Sequence, residues 1–159
     1  MATTAFQLLN PQDAIIDGTQ VMKSNVSSPV NGMAMVMSSG ELITATSEIA
    51  HGLLCEITQA GVAPWLLWDR TDANDLSDFV GKKVGLLKRG IVRLPAASVV
   101  AGAGTLAVGS KVEVVSGGTY AATATNAGVG TILRLAVTDK AGTSYTDVSF
   151  DFLGGALPL

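Results

Sequence analysis

The chain has 159 residues, enough for one domain that buries about 70% of the surface its unfolded form exposes, so no metal or disulfide is required to hold a core together. Only 14% of residues are charged and 5% aromatic, the net charge is −3 and the pI is near 4.9, which excludes a phosphate-neutralising surface spread over the whole molecule. Mean hydropathy is +0.42, yet the longest uncharged stretches, 24–40, 94–110 and 114–133, are each broken by Gly, Ser, Thr, Asn or Pro, which excludes a membrane helix of about 20 apolar residues.

Residues 1–30 read as an N-terminal arm, because Ala, Thr, Asn, Gln and Ser dominate and apolar residues come mostly in pairs, Leu8-Leu9 and Ile15-Ile16, with Phe6 just before them. A short helical turn can begin at Pro11 with Asn10 as its N-cap. No basic residue precedes Lys23 and no continuous apolar run follows Met1, so no secretory signal is expected and the protein reads as soluble and made in the cytoplasm.

Residues 31–159 read as a β-rich domain. Short apolar runs are separated by Gly, Ser, Asn and Asp, the pattern of many strands joined by tight turns. Residues 33–37 and 41–45 flank Ser38-Ser39-Gly40, and 53–58 and 62–68 flank Gln59-Ala60-Gly61; both pairs predict hairpins. Residues 69–78 form a polar, acidic loop, and extended structure resumes over 79–94. Val108-Gly109-Ser110-Lys111 leads into a strand over 112–115, and Gly117-Gly118 into one over 120–123. The clearest period lies at the end. Thr146, Val148, Phe150 and Phe152 alternate with Tyr145, Asp147, Ser149 and Asp151, and this strand pairs with 131–138, where Leu133, Leu135 and Val137 alternate with Ile132, Arg134 and Ala136. Lys140-Ala141-Gly142 makes the turn. Turns every 8 to 12 residues or so favour a mainly β fold, a small barrel or sandwich.

Several residues invite chemistry. His51 and Cys55 suggest a nucleophilic pair, but an i, i+4 spacing on a strand separates them by roughly 13 Å, so a buried cysteine and a histidine beside a turn are expected instead. A lone cysteine also cannot make an internal disulfide or a Cys-rich zinc site. Asp69, Asp72, Asp75 and Asp78 recur at every third position and could offer carboxylates to a hard cation, but the EF-hand pattern is absent and a solvated loop is the expectation. Lys82, Lys83, Lys88, Arg89 and Arg93 place half of the ten basic residues within one short segment. Phe79 is the only aromatic nearby, so this segment is expected to contact a neighbouring protein rather than a nucleic acid. Trp65 and Trp68 lie three apart, which puts them on opposite faces of a strand, one suited to the core and one to an interface. The glycines form neither a dinucleotide-binding loop nor a P-loop. No catalytic set, cofactor or metal site is expected.

The run Gly90-Ile91-Val92-Arg93-Leu94-Pro95-Ala96, the segment 106–114 with its Leu, Val, Gly and alternating Val, the pair Gly117-Gly118, and the final pieces Gly130 to Leu133 and Val148 to Phe150 come in a familiar order. Together they resemble the head decoration, or capsid cement, proteins of tailed bacteriophages. The resemblance covers roughly the last half of the chain and, by position and length, the arm. It implies a β-tulip-like or cradle-like barrel that trimerises on the outside of the head. The major capsid protein would be its partner, and the arm, with Phe6, Leu8, Leu9, Ile15 and Ile16, would lie on the shell. Trp65, Trp68, Lys82, Lys83, Lys88 and Arg89 would then supply subunit or capsid contacts. Another virion β-protein, such as a tail tube or head-completion subunit, is the alternative, and a small β-barrel hydrolase a third reading.

Overall fold

A computed structural model describes residues 6–46, 50–56, 75–125, 128–140 and 142–153. The alternation of short apolar runs and turn residues becomes β1 (Gln7–Leu8), β2 (Ile15–Asp17), β3 (Ala34–Ser38), β4 (Glu41–Thr44), β5 (Gly52–Leu54), β6 (Leu86–Pro95), β7 (Val99–Val100), β8 (Lys111–Val115), β9 (Thr119–Thr123), β10 (Gly130–Thr138) and β11 (Ser144–Asp151). Among the described residues, helix is confined to three-residue 3-10 turns. The fold is mainly β, as expected. One sheet runs in the order β4-β3-β5-β6-β11-β10-β8-β9-β7 and curls into a half-barrel.

The long strand β6 is the spine. Its residues Arg89 to Pro95 pair with β11, and Leu86 and Leu87 pair with β5. The opposite edge of β6 carries β1 and β2, in the registers Gln7↔Arg93, Leu8↔Val92, Ile15↔Arg89 and Ile16↔Leu87. The leading segment is therefore extended, but from residue 6 onward it is not a free arm. Its unpaired backbone groups find partners on the nearest sheet edge of its own chain, which an open strand would otherwise leave exposed. Phe6 is 5% exposed and packs into the main core, and Leu8 and Ile16 are half-buried against the same core. These three pack within their own chain, where the sequence suggested contacts with a shell. Leu9 and Ile15 stay exposed. The turn at Pro11 exists, with the N–H groups of Asp13 and Ala14 donating to the Asn10 carbonyl. The Asn10 side chain caps nothing there; its Oδ1 accepts the Ile91 N–H at 2.7 Å.

After β2 the chain does more than line β6. Gln20 accepts from the Val84 N–H, Met22 donates to Lys82 and accepts from Gly81, and on the other side Val21 accepts from, and Lys23 donates to, the backbone of Leu42. Residues 20–23 thus fill the gap between β4 and the lead-in to β6, and close β6, β5, β3 and β4 into a small ring. Inside it sits a second core of Met22, Met35, Leu42, Leu54, Leu76, Val84 and Leu86. Strands β3 and β5 are buried on both faces: Ala34 and Leu53 face the main core, Met35 and Leu54 the small one. This explains why 52–54 reads as an unbroken apolar run.

The main core lies in the half-barrel, around Val92, Leu94, Val112, Val114, Ile132, Val148 and a ring stack of Tyr120, Phe150 and Phe152. Phe150 sits between Gly90 on one neighbouring strand and Gly130 on the other. A Cβ on Gly130 would lie 2.9 Å from the Phe150 ring, so its missing side chain makes room for the aromatic, whereas one on Gly90 would meet Leu87 and Ala14. At the far end of the sheet, the Gly118 N–H donates to the Ala45 carbonyl at 2.9 Å, and the buried Tyr120 hydroxyl donates to the Gly32 carbonyl at 2.8 Å.

The two expected hairpins for which both strands are described form. The β3–β4 turn has positive φ at Ser39 and Gly40, and the β10–β11 turn has it at Gly142. Thr146, Val148, Phe150 and Phe152 are all buried, as the period predicted. The partner strand departs from its pattern. Register shifts follow Ile132 and Arg134, and Ala136 has φ 45°, so Ile132 is fully buried and Leu133 is 46% exposed. A β-bulge places an extra residue in one strand and turns the side chains beyond it to the other face. The second strand of the 53–58/62–68 hairpin lies outside the described residues.

Gly118 tests the closure. A Cβ there would meet the Ala34 carbonyl at 2.8 Å, and its φ is +71°. Gly118→Ala is expected to cost more than about 2 kcal/mol in urea denaturation. Gly40→Ala, which has φ +84° but open space around it, should cost about 1 kcal/mol.

Candidate binding surface

The outward face of β6 and β11 carries the densest polar arrangement. Cross-strand register sets Arg93 opposite Asp147, and the guanidinium donates to both carboxylate oxygens at 2.9 and 3.1 Å. The Tyr145 ring lies under the Arg93 guanidinium, 3.7 Å from its carbon to the ring centroid. Asp147 is 5% exposed, and Arg134 approaches it from β10 at 3.9 Å. This forked pair with an aromatic floor fixes the register of the two strands. Donating to the Asp147 carboxylate raises the Arg93 pKa further above its ordinary value, so the guanidinium is a permanent charge. Tyr145 and Asp147 were expected on the solvent side of the strand, and the long Arg93 side chain covers them. In the sequence, Arg93 gave only a basic segment; its partner, 54 residues away, left no local sign.

Beside this pair an open cleft of about 480 Å³ runs from the leading segment across β6 to β11, bounded by Asn10, Asp13, Ile15, Arg89, Ser149 and Asp151. Arg89 and Asp151 face each other at 3.9 Å, with both side chains more than half exposed, a contact worth little in water. Exposed Ile15 lines the cleft, and exposed Leu9 lies one residue before Asn10, with its N–H on the Ile91 carbonyl.

The other sequence candidates disperse. Lys82 and Lys83 are exposed at the lead-in to β6. Lys88 turns inward: its ammonium donates to the His51 carbonyl at 2.7 Å, and burial holds it below the usual lysine value. Lys88, suggested by the sequence as an intermolecular contact, makes a structural one within the chain, since its charge needs the carbonyl as it leaves water. Cys55 is buried, and its N–H donates to the Gly85 carbonyl. His51 Nδ1 accepts the Met37 N–H at 3.2 Å, so the neutral imidazole is the form that fits. Asp75 accepts from the N–H and hydroxyl of Ser77, and Asp78 is exposed in the following 3-10 turn. No cluster of His, Cys, Asp or Glu suited to a metal occurs among the described residues. Trp65, Trp68, Asp69 and Asp72 lie outside the described residues. No helix among the described residues is long and apolar enough to cross a membrane.

Sequence reasoning missed one group altogether. Met33, Met35 and Met37 alternate along β3 and its lead-in, and with Met22 they put four of the five methionines in or against the small core. Their i, i+2 spacing was the available signal. The chain matches no family model, no curated protein and no solved structure.

Removing Arg93 while Asp147 stays buried leaves a carboxylate without its forked donor, so Arg93→Met is expected to cost about 3 kcal/mol by chemical denaturation. Arg89→Met at the exposed pair should cost under about 1 kcal/mol. Burial first, and the Lys88 charge second, hold His51 below the ordinary histidine value of 6.5. The folded state therefore binds fewer protons than the unfolded one in the window just below 6.5, and stability falls as pH drops through it. The stability difference between the native chain and His51→Gln should shrink between about pH 7.5 and about pH 5 in denaturant titrations.

Proposed function

We propose that the chain acts by binding, as a head decoration protein of a tailed bacteriophage that sits on the outside of the shell and braces the major capsid protein lattice against the pressure of packaged DNA. The observation that carries this reading is the placement of the segments behind the sequence resemblance. Residues 90–95 lie in β6 with Ala96 just beyond its end, 106–114 lead into and include most of β8, the Gly117-Gly118 turn joins β8 to β9, and 130–133 and 148–150 lie in β10 and β11. All fall in one continuous part of the sheet, and Gly90, Phe150 and Gly130 share a single cross-strand row. The composition supports it too, since a surface this poor in charge suits contact with other protein.

With Phe6, Leu8 and Ile16 packed inward, the shell contact falls to the outer side of the leading segment, Leu9 and Ile15, with Arg89 opposite Ile15 and with Lys82 and Lys83 farther along beside residues 21–22. A homotrimer would present three such patches, and linked weak contacts on a lattice give far higher avidity than one.

The test is saturable binding of the purified protein to expanded, undecorated heads, read by sedimentation of the heads. Leu9→Asp with Ile15→Asp should weaken that binding at least tenfold, or about 1.4 kcal/mol, with the thermal midpoint nearly unchanged. Absence of saturable binding by the native chain would overturn the reading. A closed hexameric ring by light scattering would move it to a tail component.

A further inference from the structure

The leading segment is joined to the rest of the fold by short main-chain pairings and little buried apolar area. Residues 6–23 reach β6 and β4 through main-chain hydrogen bonds, and bury only Phe6 and Met22 completely or nearly so. The pairings are short, two residues in β1 and three in β2, with a register shift between Ile15 and Ile16. The connection that follows is polar, with Ser24, Asn25, Ser27 and Ser28 exposed and φ at Ser28 of 47°, and the chain is anchored again at buried Pro29. Met22 inserts into a bowl lined by Met33, Met35 and Met37, unbranched side chains that repack readily around an incoming group.

We propose that residues 6–23 are an exchangeable stave: the segment leaves its own β6 and β4 and closes the small ring of a second copy of this chain. The occupant is fixed by identity, because the leading segment of a second copy offers the same register, the same Met22 plug and the same Phe6 anchor. Contacts made within one chain and between two chains are then equivalent, so the balance is set by connection geometry and by concentration. Residues 24–28 span roughly 17 Å when extended, enough to reach an adjoining molecule held close by. Local openings of this kind arise where backbone pairing is short and buried apolar area is small. The inference rests on the fold alone and holds whether or not the protein binds a phage head.

Two measurements on the purified full chain decide it. In the first, native protein refolded at high concentration is separated by size-exclusion chromatography with light scattering. A dimer fraction that grows with refolding concentration and persists on dilution in the cold is expected. In the second, a Cys55→Ala background carries Ile15→Cys in one population and Arg89→Cys in another; the two positions are directly paired and both exposed. After refolding together and mild oxidation, disulfides between unlike chains should exceed those between like chains at least tenfold. A single chain carrying both substitutions, oxidised as dilute monomer before it is concentrated, should close on itself and form no dimer. Only monomer at every concentration, or a dimer without excess cross-linking between unlike chains, would overturn the proposal.

Discussion

The whole structure turns on how the two open edges near the start of the sheet are satisfied. Strand β6 has β5 and β11 along one edge, and β4 ends the sheet path, so both β6 and β4 would present unpaired N–H and C=O groups. Residues 20–23 fit between them and use alternate backbone groups, Gln20 and Met22 toward the β6 lead-in and Val21 and Lys23 toward Leu42. The alternation is the ordinary geometry of a strand, whose successive groups point to opposite edges. Once that position is filled, Met22 must point inward, and the small core has a wall where it would otherwise have an opening. Burying one such side chain is worth about 1.5 to 3 kcal/mol, a large share of the few kcal/mol by which a domain is stable.

Local features were legible and distant ones were not. The β3–β4 and β10–β11 hairpins follow from a turn residue between two apolar runs, and the buried row Thr146, Val148, Phe150 and Phe152 follows from period two. The exchange of Leu133 for Ile132 on the inner face could not be read, because a bulge leaves no composition of its own and an apolar residue sits on each side of it. The path of the leading segment was also hidden. Gln7 pairs with Arg93 across most of the chain, and nothing in a stretch of Ala, Thr, Asn and Gln indicates which edge will receive it. A segment whose apolar residues come in pairs looks like a loose arm. Here one member of each pair, Leu8 and Ile16, faces the core, and the other, Leu9 and Ile15, faces solvent. The parallel contact of β7 with β9 is only two residues long, too short for periodicity to register.

The residues behind the family resemblance have a packing explanation that stands without any function. Gly130 lacks a Cβ because one there would crowd the Phe150 ring and its strand, one on Gly90 would press on Leu87 and Ala14, and Gly118 lacks one because the Ala34 carbonyl occupies that space. Val112, Val114, Val92 and Leu94 are core. In this chain the pattern is therefore a recipe for curling one sheet around one aromatic stack. A fold can be reused for many purposes, so what the protein does has to be argued from its outer face.

That outer face limits the kind of binding available. Its strongest polar group, the Arg93–Asp147 pair over Tyr145, is already satisfied within the chain, and breaking it to reach a partner would expose a carboxylate whose donor had left. Arg89 and Asp151 are held loosely and stay hydrated, and such rim charges set orientation and approach more than affinity. The exposed apolar residues Leu9, Ile15, Val108 and Leu133 are spread over the leading segment, the approach to β8 and the β10 strand, and several come from different edges of the sheet. A surface built this way gives each copy a weak grip. On the proposed readings, affinity comes from repetition, either through neighbouring copies held on a common lattice or through copies tied together by their leading segments.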